Sequence, residues 1–292
     1  VDGQLMDKWE IPTRTEDGAK HILPDIAESV KAKLAEKDID LSEVVGAGMG
    51  IPGPVLANGM VTQCVNLGWK EKNAQKELSE LLGVPVKSGN DANVAALGEM
   101  WQGGGKGFHD IVMVTLGTGV GGGVIIDEKI IAGRHGLGGE IGHIHVRDEE
   151  TEACNCGGVG CLEQVASATG IAREARRKMA ASDTPSVLRE KGDSVTAKDV
   201  LDAAKAGDAL ADEVAETAAR YLGLVLGQVA LTVDPEAFVI GGGVSRAGQF
   251  LVDKIDKYYQ NYTVISKNKG IITLAKLGND AGIYGAARMV LD

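Results

Sequence analysis

Ile111-Val112-Met113-Val114-Thr115-Leu116-Gly117-Thr118-Gly119-Val120-Gly121-Gly122-Gly123-Val124-Ile125-Ile126 is the stretch that decides the fold class. A short apolar run bounded by glycine reads as a buried strand, and the apolar residues after the glycines read as a second one. The glycines let N–H groups point into one concavity and let a phosphate approach the backbone, while Thr118 adds a hydroxyl donor. Gly117, Gly119 and Gly122 formally match the dinucleotide-binding spacing, but that fingerprint opens a helix and Gly123-Val124-Ile125-Ile126 is strand-like. Two readings stand for the turn: a phosphate cradle or a plain hairpin.

The same grammar recurs outward. Ala237 to Ile240 is a strand that runs into Gly241-Gly242-Gly243-Val244-Ser245, with a helix expected next, the geometry of an anion or nucleotide site. Further strands are expected at Val44 to Gly50, Val84 to Lys87 and Ile271 to Ala275, and Gly122 to Ile126 with Lys129 to Ala132 reads as a hairpin. Helices are predicted from about Lys20 to Glu36, from Ala74 to Leu82, and from within Asp91-Ala92-Asn93. More cover most of Leu162 to Val233, apart from a polar break near Ala181 to Ser194, and the last runs from Ala281 to Leu291. Alternating strands and helices predict α/β layers with mostly parallel central strands. The Gly103 to Gly107 linker marks a domain boundary, and a cleft between two such domains is a favoured ligand site.

With 292 residues, 44% of them hydrophobic and 24% charged, the chain can bury a sizeable core and is neither disordered nor fibrous. Its net charge of −11 repels polyphosphate backbones, so nucleic acid is not an expected partner, although backbone N–H groups can still hold an anionic ligand locally. Gly223 to Val233 is the longest apolar stretch, about half of the roughly 20 residues a membrane span needs. No basic-then-apolar leader opens the chain and no membrane partner is expected, while three of the four cysteines crowded into Cys154 to Cys161 suggest reduced thiols in a cytoplasm. Glycine is abundant: 41 residues, against about 20 at the usual ~7%. The opening Val1-Asp2-Gly3-Gln4-Leu5 reads as a hairpin turn entering a strand, which suggests an N-terminally shortened form of a longer chain.

Three of the four cysteines crowd together as Cys154, Cys156 and Cys161, with His143 eleven positions before the first. Three thiolates and one imidazole make a closed tetrahedral zinc set, and Gly157, Gly158 and Gly160 let a short loop wrap the ion. Buried unliganded thiols and a disulfide are the plainer alternatives, the second disfavoured by the very short loops. Cys64 stands apart as a small core residue. Asn90-Asp91 follows a strand end, Glu140 sits three residues before His143, and Glu163 two after Cys161, so a metal loop would bring Glu140, His143 and Glu163 together. Such groups suit polyol recognition, and a carboxylate beside a hydroxyl can act as general base. Taken singly, each has a plainer role, and Asp91 in particular is placed to cap the helix that starts there.

Together these features resemble the ROK family of sugar kinases and repressors, most closely its bacterial glucokinases. The resemblance covers essentially the whole chain. It rests on Gly-Asn90-Asp91-Ala-Asn-Val-Ala-Ala, Leu116-Gly-Thr-Gly-Val-Gly-Gly-Gly, Gly139-Glu140-Ile-Gly-His143, Cys154-Asn-Cys156-Gly-Gly-Val-Gly-Cys161-Leu-Glu163 and Val239-Ile-Gly-Gly-Gly-Val-Ser. It implies a two-domain fold similar to actin and hexokinase, closing on a cleft. The small domain would span 1–110 plus 282–292, and the large one 111–281 with the zinc loop and the nucleotide-binding turns. It implies ATP-dependent phosphorylation of glucose at the 6-hydroxyl, giving glucose 6-phosphate and ADP, with Asp91 as general base. Asn90, Asp91, Glu140, His143 and Glu163 match the family's sugar-binding residues, with Gly53 a weaker match. Gly117, Thr118 and Gly119, and Gly241, Gly242 and Gly243, match its phosphate and adenosine segments. A structural zinc on His143, Cys154, Cys156 and Cys161, magnesium with ATP, and a homodimer or homotetramer complete the expectation. N-acetylmannosamine, N-acetylglucosamine, mannose or fructose as acceptor, polyphosphate as donor, and the repressor branch are the alternatives. Members also carry an Asp-x-Gly-Gly-Thr turn on their first strand; this sequence begins where the next strand is expected.

Overall fold

The computed structural model describes residues 2–62 and 64–291. Along the chain come a single turn α1 (Glu16–Ala19), α2 (Ile22–Glu36), β1 (Ala47–Ile51), β2 (Met60–Val61), β3 (Lys72–Asn73), α3 (Ala74–Leu82), β4 (Val86–Asn90) and α4 (Asp91–Gln102). Then follow β5 (Ile111–Leu116), β6 (Val120–Ile126), β7 (Lys129–Ile130), α5 (Glu163–Ala166), α6 (Ala168–Ala181), α7 (Ala197–Lys205) and α8 (Ala209–Val233). The last are β8 (Ala237–Gly241), α9 (Gln249–Tyr262), β9 (Ile271–Leu274) and α10 (Ala281–Met289). No helix among the described residues is long and apolar enough to cross a membrane.

The chain divides into two compact units: residues before Phe108 with Gly123–Gly138 and those after Gly278, and Phe108–Gly122 with Gly139–Gly278. β6 from Gly123 onward, with β7, groups with the first unit rather than with the large domain expected over 111–281. The reason is close packing: a Cβ on Gly123 would stand 2.6 Å from Cβ of Ala96 and 3.0 Å from the Ala92 carbonyl, both on α4.

In the first unit β1 and β4 run parallel, with Ile51 opposite Asn90. Leu23 of α2, Ile51 of β1 and Leu78 and Leu82 of α3 pack in its core. Asn73 caps α3 by accepting from the Lys76 N–H, and Gly83, at φ 83°, ends it. The strand expected after Val1-Asp2-Gly3 does not form: residues 2–15 are irregular. A strand exists only through its ladder, and no described residue pairs with these. They lie instead along α2, where Trp9 Nε1 donates to Ser29 Oγ at 2.8 Å, Arg14 Nε to Asp25 at 2.7 Å, and Lys37 Nζ meets Asp7 at 2.9 Å.

In the second unit β5 lies between the start of β6 and β8, with β9 outside β8. β8 runs parallel to both β5 and β9, which matches the parallel central strands expected. Val112, Val114, Phe238, Val239 and Ile240 are fully buried, so these strands are continuous apolar runs rather than alternating ones.

Candidate active site

Asn90 and Asp91 occupy the junction where β4 becomes α4. Asn90 is still extended, at ψ 141°, so its side chain can turn back over the helix start. Its Oδ1 accepts from the N–H groups of Ala92 (3.0 Å) and Asn93 (3.2 Å), and its Nδ2 donates to the carbonyl of Gly53 at 3.1 Å. Gly53 has φ 127°, a conformation glycine reaches without a steric penalty. The cap is therefore Asn90, and the capping role considered for Asp91 falls to its neighbour. Asp91 is the first helical residue, and its Oδ1 accepts the Ala92 N–H at 2.9 Å. Water reaches the carboxyl, but protein atoms crowd around it. That desolvation raises its pKa above the ordinary 3.8, against the lowering effect of the Ala92 N–H. A carboxylate in this state is a stronger base than a free surface aspartate.

The two glycine turns differ. At the first, the Gly117 N–H closes the turn onto the Gly119 carbonyl (3.0 Å), and the Gly117 carbonyl accepts from Ala168 N–H (2.8 Å) at the start of α6. β6 then continues as a strand, not as the helix that a dinucleotide fingerprint opens. A Cβ at Gly119 would stand 2.1 Å from Oε2 of Glu163, the oxygen that accepts the Val120 N–H at 2.9 Å. Thr118 and Gly119 line a cavity of about 370 Å³ together with Cys154, Asn155, Glu163 and Arg173. At the second turn, Gly241 ends β8 against Met113 and Ala275, and Gly242 has φ 82° with the Leu116 carbonyl 2.5 Å from where a Cβ would be. Sheet packing accounts for both glycines. Gly243 faces open space and lines a cavity of about 360 Å³ with Thr196, Lys198, Arg246 and Ala247. The helix expected directly after it is only a 3-10 turn, Val244–Ala247; Gly248 at φ 70° breaks the chain before α9 begins. No aligned helix dipole stands behind this turn.

His143, Cys154, Cys156 and Cys161 present one ligand atom each, all within 4.8 Å of one another. Cys156 and Cys161 sulphurs are 3.7 Å apart, and Cys154 Sγ is 3.9 Å from His143 Nδ1. An ion about 2.3 Å from each thiolate in a tetrahedron would hold the sulphurs about 3.8 Å apart, so the residues fit a divalent metal. The thiols are free rather than bridged. Burial raises Cys154 and pushes Cys161 up to about 12, whereas the Gly158 N–H lowers Cys156. Keeping all three ionised takes a cation among them. Gly160, at φ 72°, is obligatory, because a Cβ there would meet the Arg147 carbonyl at 2.2 Å. The spacing alone does not separate His143 from His145. The structure does: His145 Nδ1 faces the Val159 carbonyl and Nε2 faces Asp148, each at 2.8 Å. Cys64 is a core thiol that donates to the Pro52 carbonyl at 2.6 Å, as expected.

Glu140 and Glu163 of the second unit gather at this cluster. Glu140 Oε2 lies 3.8 Å from His143 Nε2, and Glu163 Oε1 lies 3.7 Å from Cys154 Sγ. Gln164, Glu150, Arg173 and Arg177 border the same loop and were not singled out from the sequence. The repeat of Arg at 173 and 177, one helical turn apart with Glu174 between, was the available signal.

Residues 1–292 match the ROK family. A glucokinase of Halalkalibacterium halodurans is 42% identical over 99% of this chain and 88% of its own. A glucokinase of Thermotoga maritima is 36% identical over 99% of this chain and 91% of its own. Among solved structures, a ROK hexokinase from Thermus thermophilus aligns with a TM-score of 0.78 and 30% identity, covering 95% of this chain and 87% of that one. A ROK family glucokinase from Streptomyces griseus, in complex with glucose and AMPPNP, aligns with a TM-score of 0.73 and 32% identity over 99% and 92%. The chain belongs to the ROK family and has its α/β sugar-kinase fold.

Proposed function

We propose that the protein is a hexose kinase that transfers the γ-phosphoryl group of ATP to the 6-hydroxyl of glucose. The observation that carries this reading is the Asn90–Asp91 junction, where Asn90 does the capping and leaves Asp91 as a carboxylate of raised basicity. Asp91 takes the 6-hydroxyl proton as that oxygen bonds to the γ-phosphorus; the bond to the bridging oxygen breaks and ADP leaves. A positioned base contributes about 10²–10⁴-fold. Asn90, Glu140, His143 and Glu163, with Gly53 as a weaker match, are read as sugar-binding residues. Thr118 and Gly119 would cradle phosphates through N–H and hydroxyl donors, with Gly117 shaping the turn, and Gly243 with its cavity would take the nucleoside end.

His143, Cys154, Cys156 and Cys161 are read as ligands of a structural zinc, which with four protein ligands has no open position for water. With Nδ1 turned to that cluster, the His143 tautomer is fixed and Nε2 is left for a sugar hydroxyl or Glu140. Magnesium bound with ATP supplies charge neutralisation at the phosphates.

Support comes from relatives named glucokinase at 34–42% identity. An N-acetyl-D-glucosamine kinase of Mannheimia succiniciproducens at 27% identity makes the acceptor worth testing broadly. The test is a coupled ADP-release assay over a hexose panel. Glucose should give the highest kcat/KM, and Asp91→Asn should lose about 100-fold or more in kcat while keeping sugar affinity. ADP release unaffected by Asp91→Asn, or none with any hexose, overturns the reading.

A further inference from the structure

The run between His143 and Cys154 holds no metal ligand, yet it carries a buried charge network. The Glu150 side chain is 1% exposed. Its Oε1 accepts from Arg177 Nη2 (2.9 Å) and from the N–H groups of Thr151 and Glu152 (both 3.1 Å); its Oε2 accepts from Arg177 Nη1 (2.8 Å) and Arg173 Nη2 (2.9 Å). Arg147 grips Glu174 with both Nη groups, at 2.9 and 3.0 Å, and lies 5.3 Å from the Tyr221 ring. The run is thus fastened to α6 and α8.

The network also reaches the far side of the loop. Arg173 Nη2 donates to the Gln164 carbonyl at 2.7 Å. The Gln164 amide donates to the Glu152 carbonyl at 2.9 Å and accepts the Cys161 N–H at 3.1 Å. One side chain therefore ties the backbone just before Cys154 to the backbone of Cys161.

We propose that Glu150, acting through Arg173, Arg177 and Gln164, is a positioning residue that holds the two arms of the Cys/His loop at coordinating distance independently of the metal. A loop rich in glycine pays a large ordering entropy when it gathers ligands, and a scaffold that orders it beforehand raises metal affinity. Stability alone does not call for such a network, because buried ion pairs are often replaceable by apolar side chains at no loss. What apolar side chains cannot supply is the directional grip on the Thr151, Glu152 and Cys161 N–H groups.

The inference rests on reading the cluster as a zinc site. In the test, purified holoenzyme is mixed with a colorimetric zinc chelator and release is timed well below the unfolding temperature. Glu150→Gln should release zinc about 10–100-fold faster than the wild type. Arg177→Lys, which keeps the charge but loses the two-pronged grip, should speed release about tenfold and carries the test if Glu150→Gln does not fold. Phe238→Leu, a change in the sheet core away from the loop, controls for general destabilisation and should leave release unchanged. Wild-type release rates in both loop variants, or equal acceleration in Phe238→Leu, overturn the positioning role alone. A wild type purified without zinc overturns the metal reading together with it.

Discussion

Gly285→Ala tests the packing that seats α4, the helix whose first residue is Asp91. α10 meets α4 backbone to backbone: a Cβ at Gly285 would stand 1.7 Å from the Val94 carbonyl oxygen, and one at Gly98 would stand 2.0 Å from that of Ala281. Carbon–oxygen contacts relax at about 3.3 Å, so the added methyl forces the two helices about 1.5 Å apart. Overpacking costs about 1–3 kcal/mol, and the upper end applies because the colliding atoms are backbone and cannot swing away. Alanine recovers about 1 kcal/mol of helix propensity, leaving a net loss of about 2 kcal/mol. For a protein of this size that lowers Tm by about 4–8 °C in a calorimetric scan. Gly282 is the internal control: it sits on the same helix with no atom within 4 Å of its Cβ position, so Gly282→Ala should raise Tm by about 2–4 °C. A Gly285→Ala protein as stable as the wild type would refute the close crossing. Val94 is one turn from Asp91, so the variant should also lose kcat in the ADP-release assay, whereas Gly282→Ala should not.

Because crowding raises Asp91 above 3.8 and a base must be ionised, kcat/KM should fall as pH drops through an apparent pKa above that value; an acid limb at or below 3.8 argues against Asp91 as the base. Gly119→Ala would drive the Glu163 carboxylate off the Val120 N–H, costing about 1.5–3 kcal/mol in urea unfolding and raising KM for sugar; unchanged values of both would remove Glu163 from the site. Elemental analysis of fresh protein should find about one zinc per chain, and less than about half counts against the Cys/His site. Arg177 holds the Glu150 carboxyl down at about 2 against an ordinary 4.5. The stability it contributes, up to about 3 kcal/mol, is present above pH 4.5 and lost as pH falls toward 2, so unfolding free energy should be level above 4.5 and drop below it, less so in Glu150→Gln.

Much of the fold is legible because each element declares itself locally. Ile111–Leu116 is an apolar run that stops at glycine, Ala74–Leu82 lies between an asparagine cap and Gly83, and each forms with those bounds. That no strand follows Val1-Asp2-Gly3-Gln4-Leu5 is not legible in those residues, since a ladder is a property of two segments. Asn90 and Asp91 are both good capping residues, and only the extended backbone of Asn90 decides between them. His143, the histidine named from the sequence, is the one at the cluster, while the ring of His145 two residues on is occupied by the Val159 carbonyl and Asp148.

The charge network around the metal loop was hidden for a different reason. Glu150, Arg173 and Arg177 stand in a stretch crowded with charge, Arg147-Asp148-Glu149-Glu150-Thr151-Glu152, and on a helix with four Arg and Lys between 173 and 178. Such runs ordinarily face water, as Glu149 does here with its side chain 75% exposed. Glu150 is buried against α6, where Arg173 and Arg177 meet it, and a carboxylate in that place survives only with such guanidinium partners. The sequence contains the partners, but their meeting depends on how the residues between His143 and Cys154 cross the helix. Residue types and spacings name the ligands of a site such as this one; the groups that aim those ligands follow from the path of the chain.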